Sequence, residues 1–277
     1  MNHDAQDQLN WLSHVLSQDV FTHGHLSRSV ETFQGETAEP GGALSTERIE
    51  IRPDPARERR KGVPEVIFGE TKTTPQVLSM ARSLLEGTGR AIISRVRQET
   101  LEAVRQEFQD CPMRVREAAR ALVIYRPGYE TVRTGGRVGV LSAGTSDVPV
   151  AEEAALMAEE MGCQVTCVYD VGVAGLHRLL EPLRALLSSD VDVMIVAAGM
   201  DGALPSVVAG LVPVPVIGLP TSVGYGLGGR GVAALLSMLQ TCAPGLSVVN
   251  IDNGIGAGST AALIANRVAL AAGHRVQ

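Results

Sequence analysis

From residue 137 onward the chain alternates between two patterns. Short apolar runs, "RVGVLSAG", "QVTCVYDVG", "VDVMIVAAG", "VPVIGLP" and "LSVVNID", are each followed by a longer stretch of helical character. In the first of these stretches, "VPVAEEAALMAEEMG", Val150, Ala154, Met157, Ala158 and Met161 share one helical face. The others are "AGLHRLLEPLRALLSS", "ALPSVVAGLV", "RGVAALLSMLQTC" and "AGSTAALIANRVALAA". Five strands thus alternate with five helices. Continuously apolar strands are those of a parallel sheet covered on both faces. Right-handed crossovers then give a doubly wound, flavodoxin-like α/β domain over 133–277.

The pattern ahead of it is shorter and mixed. Residues 51–132 predict a smaller α/β domain with strands at "PEVIFG" and "RAIISRV" and a third within "REAARALVIYR". "TPQVLSMARSLLEG" and "TLEAVRQEFQD" predict its helices. Thr73 or Thr74 suits an N-cap and Pro75 the first helical residue, which puts Lys72 beside a helix start that favours anions. An exposed lysine beside a cap explains Lys72 equally well. Residues 1–50 form a third region: Leu9, Leu12, Val15 and Leu16 have the spacing of a short amphipathic helix, and an aperiodic linker follows. His23 and His25 there read as part of a polar tail rather than a metal site.

Composition narrows the function. The chain has 277 residues, 45% apolar but only 3% aromatic, so its core is aliphatic. A net charge of −6 and few aromatic stacking platforms argue against a nucleic-acid partner. No run of 18 apolar residues predicts a membrane span, and the N-terminus lacks the order of a signal peptide, so the expected location is the cytoplasm. Four cysteines, Cys111, Cys163, Cys167 and Cys242, do not make a disulfide framework in a chain of this length. Cys163 and Cys167 have the spacing of a zinc half-site, but no second half follows and core packing is the expected role. Only two lysines, Lys61 and Lys72, stand among the 24 basic residues.

In a doubly wound sheet, ligands bind where the strands end. The five loops there are "SAGTSDVPV", "YDVGVAGLH", "AAGMDGALPS", "PTSVGYGLGGRG" and "NIDNGIGAGS". Glycines let backbone N–H groups approach a ligand, and each loop opens a helix whose N-terminus favours phosphate. Together they predict a nucleotide-like ligand held by Ser142, Gly144, Thr145, Ser146, Asp147, Asp170, Gly172, Gly199, Met200, Thr221, Ser222 and Tyr225. Ser146 or Asp147 serves as a simple helix cap in the plainer reading, and Asp252 as a turn former. Neither a P-loop nor a G-x-G-x-x-G fingerprint is present. Asp201, flanked by flexible residues in "GMDGALP", has no such plain explanation.

The "GTSD" loop, "AAGMDGALPSVVAGL", "PVIGLPTSVGYGLGG" and "IDNGIGAGSTAALIANRVA" together resemble the aminoimidazole ribonucleotide (AIR) carboxylase-like superfamily. With "GVPEVIFGETKT" and "YDVGVAGLHRLL", the chain over about residues 50–272 more closely resembles the LarB family of pyridinium-3,5-biscarboxylic acid mononucleotide synthases. That resemblance implies the first step of nickel-pincer cofactor synthesis for lactate-racemase-type enzymes. The implied substrate is nicotinic acid adenine dinucleotide, carboxylated with CO2 or bicarbonate and then split to release AMP. Cys242 matches the family's nucleophilic cysteine. Asp201 falls where a glutamate is expected, a carboxylate shorter by one methylene. Ser142, Ser146 and Asp147 correspond to phosphate and ribose contacts. Hydrolysis calls for a water in line with the phosphoanhydride, where magnesium would neutralise charge, although no decisive magnesium site is present in the sequence.

Chemistry explains the thiol. A pyridinium ring is electron-poor and does not attack CO2 until a nucleophile that also leaves well has added to it, which describes a thiolate. Asp201 is then the candidate base. Cys242, however, ends the fourth helix, at the edge of the sheet opposite the five loops. It is therefore structural, or it completes the site of a neighbouring subunit; the superfamily forms homo-oligomers, commonly octamers. The small domain, with Lys72 and Glu65, is expected either to cap the mouth of the site or to be purely structural. Two other readings remain: an AIR carboxylase or mutase, opposed by "DVGVAGLH" and "MDGALP" where histidine motifs are expected, and a nucleotide-binding module without catalysis.

Overall fold

A computed structural model describes residues 53–273, which belong to one compact unit, Glu50–Gln277. The expected helix around Leu9–Leu16 and the histidines His23 and His25 lie outside the described residues. Two sheets are present among them. The first begins after a short helix, α1 (Arg57–Lys61), and holds β1 (Val66–Phe68), β2 (Arg90–Ser94), β3 (Met113–Arg116) and β4 (Ala121–Tyr125) in the order β1-β2-β4-β3. Helix α2 (Thr74–Thr88) makes the crossover between parallel β1 and β2, and α3 (Gln98–Glu107) precedes the β3–β4 hairpin. Thr73 caps α2: its backbone N–H donates to the Gln76 side chain at 2.9 Å, half of a capping box.

The second sheet is fully parallel. It holds β5 (Arg137–Ser142), β6 (Gln164–Val168), β7 (Val193–Ala198), β8 (Val216–Pro220) and β9 (Leu246–Val248) in the order β6-β5-β7-β8-β9. This is the flavodoxin-like arrangement that the alternating pattern predicts. Helices α4 (Val148–Glu160) and α8 (Gly254–Ala271) cover one face. Helices α5 (His177–Ser188), α6 (Leu204–Ala209) and α7 (Val232–Leu239) cover the other. The central strands β7 and β8 are buried throughout, and β5 from Val138 onward; the edge strand β6 turns Gln164 and Thr166 to solvent.

Small residues set the distance between α4 and α8. Ala151, Ala154, Ala155 and Ala158 of α4 meet Ala257, Gly258 and Ala261 of α8, all buried. A Cβ on Gly258 would lie 2.3 Å from the Ala154 carbonyl oxygen, so no larger residue fits without parting the helices. Alternation in the small sheet completes the core. Leu122 and Ile124 of β4 and Ile93 of β2 face α2 and α3, whereas Val123 and Ile92 pack into the core shared with α4.

The charged residues of α4 carry the contact between the sheets. Glu152, Glu153, Glu159 and Glu160 recur at a seven-residue spacing and so share a face. Arg116 pairs with Glu152 and, at 2.7 Å, with Glu159; Arg114 also pairs with Glu159. Arg90 and Glu160, each 2% exposed at the side chain, pair at 3.1 Å, and the Tyr125 hydroxyl donates to Glu160 at 2.6 Å. Glu58 holds the other end of the Arg90 guanidinium at 2.5 Å. Burial, then the bond to Glu160, pushes the Tyr125 phenol far up from its ordinary value.

Removing one partner of a buried pair leaves the other desolvated, at a cost of about 3–5 kcal/mol. Glu160→Ala is expected at the low end of that range, because Arg90 keeps Glu58. The unfolding free energy from urea titration measures it. The double variant Arg90→Met with Glu160→Leu is expected to recover most of the loss, and equal losses in both proteins would contradict a buried-charge origin.

Candidate active site at the strand ends

The parallel sheet brings its five carboxyl-end loops to one edge, and backbone contacts lock them together. Gly172, after β6, lies so close to the loop after β5 that a Cβ would sit 2.7 Å from the Ala143 carbonyl oxygen. Gly199, after β7, faces the loop after β8 in the same way, with the Val223 carbonyl oxygen 2.2 Å from its Cβ position. The Met200 N–H donates to that carbonyl at 3.0 Å, which holds Met200 in left-handed backbone geometry at φ 47°. Alternation of the strand order places the switch point between β5 and β7, flanked by the loops that carry Ser146 and Asp201.

Within this edge the predicted residues divide into two groups. Ser142, Asp147 and Thr221 are buried and bonded to one another's loops. The Asp147 carboxylate accepts the Gly144 N–H at 2.9 Å through one oxygen and the Thr221 hydroxyl at 2.6 Å through the other. Ser142 donates to the Gly144 carbonyl at 3.1 Å and accepts the Asp170 N–H at 3.3 Å. These three shape the loops from within. Thr145, Ser146, Met200, Asp201, Ser222 and Tyr225 are exposed on the edge itself. Asp170 is exposed too, at φ 60°, and pairs with Arg178 at 2.8 Å.

A cavity of about 380 Å³ opens between this edge and the small sheet. Ser146, Ser222 and Asp252 line it from the large sheet, and Glu70, Arg95 and Arg120 from the small one. A second cavity of about 390 Å³ shares Arg95, Glu153 and Asp252. Arg95 stands between the two. Its guanidinium lies 3.4 Å from the buried Glu153 carboxylate, donates to the Asp252 carbonyl and covers the Phe68 ring with 5.1 Å between centres. Asp252 in turn accepts the Ser222 N–H at 2.7 Å.

Residues 137–277 match the family described as AIR carboxylase, and residues 49–126 match the LarB/PurE-like N-terminal domain. The chain belongs to the AIR carboxylase family, in the LarB-type architecture. An uncharacterized protein of Methanocaldococcus jannaschii is 44% identical over 224 residues, which span 79% of this chain and 84% of that protein. The N5-carboxyaminoimidazole ribonucleotide mutase of the same organism is 35% identical over 127 residues, 46% of this chain and 74% of the mutase. The mutase of Thermotoga maritima is 32% identical over 135 residues, again 46% of this chain and 74% of the mutase. The family is one of carboxylases and mutases.

Three placements bear on how a family member with this site works. Cys242 is exposed on the turn between α7 and β9, at the edge where the strands begin, so the strand-end loops of the same chain do not surround it. Lys72 is half-buried and lines neither strand-end cavity; its carbonyl accepts from Arg97, and Glu65 is engaged by Arg57 at 2.7 Å. Arg95 and Arg120 supply the cations there instead. Both follow a strand or turn in left-handed geometry, at φ 51° and 49°. Applying the strand-end rule to β2 as well as to the large sheet identifies Arg95 from "RAIISRV".

Three of the acids at this edge are already engaged within the protein. Both Asp147 oxygens are taken by protein donors, Asp170 is paired with Arg178, and one Asp252 oxygen holds Ser222. Among the described residues no group of three metal-binding side chains converges. A zinc role for Cys163 and Cys167 meets the same objection: Cys163 is fully buried against Asn266, and burial pushes its thiol up to about 12.

That contrast is testable. At pH 8 only roughly 10⁻⁴ of a thiol with the Cys163 value is ionised, and burial also bars reagent. Iodoacetamide is therefore expected to label Cys242 in the native protein long before Cys163, read by peptide mass spectrometry. Equal labelling rates without unfolding would overturn the placement of Cys163.

Proposed function

We propose that this chain adds CO2 to the pyridinium ring of nicotinic acid adenine dinucleotide and hydrolyses the phosphoanhydride. The products are pyridinium-3,5-biscarboxylic acid mononucleotide and AMP, the entry step to a nickel-pincer cofactor. The reading is supported chiefly by two of the reactive side chains that the fold leaves exposed: the Asp201 carboxylate at a strand end and the Cys242 thiol.

The chemistry follows from those groups. The Cys242 thiolate bonds to the ring carbon opposite nitrogen, and the displaced ring electrons neutralise the pyridinium charge. The adjacent carbon is then the nucleophilic end of an enamine and forms a bond to CO2. Asp201 takes the proton from that carbon, the thiolate leaves, and aromaticity returns with the positive charge back on nitrogen. Water attack at phosphorus afterwards releases AMP. The backbone N–H groups of the glycine-rich loops and the Arg95 and Arg120 guanidiniums are the groups that hold the phosphates and carboxylates in place.

Such a mechanism requires Cys242 and Asp201 from different copies of the chain. Helix α7 supports that arrangement. Val232, Leu236 and Leu239, spaced along one side, are 50%, 58% and 62% exposed, and the stripe runs toward Cys242. Covering it with a second copy buries apolar surface and carries the thiol to a neighbouring edge. The active form is accordingly a homo-oligomer with shared sites.

Mass spectrometry of a reaction with labelled bicarbonate tests the chemistry. Wild type is expected to form AMP and a labelled dicarboxylated mononucleotide, with at least 10³-fold less in Cys242→Ala; an untouched dinucleotide with wild type would refute the reading. Shared sites are tested by mixing. Cys242→Ala and Asp201→Ala proteins, each inactive, are expected to regain activity together once subunits exchange, and continued inactivity after proven exchange counts against them.

A further inference from the structure

A cleft of about 550 Å³ in the small domain is larger than either strand-end cavity and shares only Arg120 with them. It is walled by the β2–α3 connection, α3 and the β3–β4 turn. Its volume lies within the range of small-ligand sites. Arg97, Arg105 and Arg120 line it against one carboxylate, Glu117, a local excess of positive charge in a chain whose net charge is −6. Val96, Leu101 and Val115 make its apolar wall.

Apart from the Arg97 bond to the Lys72 carbonyl at 2.8 Å, the guanidiniums are only loosely engaged. Among the described residues Arg97 pairs with Glu99 and Arg120 with Glu70, both at 3.4 Å between exposed side chains, and such pairs contribute little. Arg105 takes part in no ion pair described. The Arg97 Nε is buried without a hydrogen-bond partner among the described residues, and an unmade bond at a buried donor is costly. Helix α3 opens here with Arg97 at its N-cap and no side chain capping it. Its free N–H groups add to the positive potential. Planar guanidiniums match phosphate oxygens in geometry as well as charge.

We infer that this cleft binds a nucleoside monophosphate, with the phosphate on Arg97, Arg105 and Arg120 and the nucleoside against Val96, Leu101 and Val115. Arg120 also lines the strand-end cavity that holds Ser146 and Ser222, so the two spaces meet at one guanidinium. A dinucleotide spanning them rests one half at the strand ends and the other in the cleft. The inference deepens the proposed function and rests on it for the identity of the nucleotide, AMP.

Isothermal titration calorimetry of the full chain with AMP, adenosine and inorganic phosphate tests it. AMP is expected to bind wild type at least tenfold more tightly than either fragment. Arg105→Gln, an exposed helix position that leaves the fold intact, is expected to weaken AMP tenfold or more, and Glu117→Gln to tighten it. No AMP binding to wild type, or AMP binding unchanged in both variants, overturns the assignment; so does phosphate binding as tight as AMP. The labelled-bicarbonate assay on the same proteins separates the two readings. Carboxylation with arginine-independent AMP binding removes the cleft alone, whereas arginine-dependent AMP binding without carboxylation keeps the cleft and removes the reaction.

Discussion

Four glutamates on one face of α4, answered by arginines from the small sheet, are the contact on which the other features depend. A helix this rich in carboxylates is ordinarily a solvent-facing one, and here Glu153 and Glu160 are almost wholly enclosed. Desolvating them is tolerable only because each is met by a guanidinium or hydroxyl at short range. The pairing is also directional. Arg90 bridges Glu58 and Glu160 while Tyr125 adds its hydroxyl, so the small sheet has one seating on α4 rather than a range of them.

That seating places chemistry. Helix α4 starts at the loop after β5, so a sheet docked along α4 brings its own strand ends to the same edge. Ser94 and Arg95, at the end of β2, both reach Glu153. The cavities on either side of Arg95 exist because two sheets with unrelated topologies end at one place. The alanine and glycine contact of α8 against α4 does the complementary work: it fixes the far side of the acidic helix, so the carboxylates cannot retreat into solvent.

Periodicity makes the large sheet legible in the sequence. Its strands are continuous apolar runs and each crossover is a helix, which leaves one topology class. The small domain is less legible. Strand β3, "MRVR", alternates arginine with apolar residues and shows no apolar run, because its arginines face carboxylates on another element. Helix α1 is five residues long and holds nothing buried, so no amphipathic signal marks it. Val150, Ala154 and Met157 mark the apolar face of α4, yet nothing local marks its second, acidic face as buried, because the arginines that meet it lie on other elements. At the strand-end edge, loop composition does not separate the enclosed Ser142, Asp147 and Thr221 from the exposed Ser146 and Ser222. Chain topology placed Cys242 at the opposite edge, and a single chain's sequence does not say what a second copy brings to it.

The cations of the seam between the sheets are all arginines, in a chain whose only lysines are Lys61 and Lys72. Neither lysine pairs with α4, and neither lines the strand-end cavities. Amine chemistry therefore has almost no purchase on the parts that matter. Acetylation, reductive methylation or amine-coupled tethering to a surface modifies the small domain at those two positions and leaves the guanidinium contacts charged, so the protein can be labelled or anchored through its lysines without loosening the joint between its sheets.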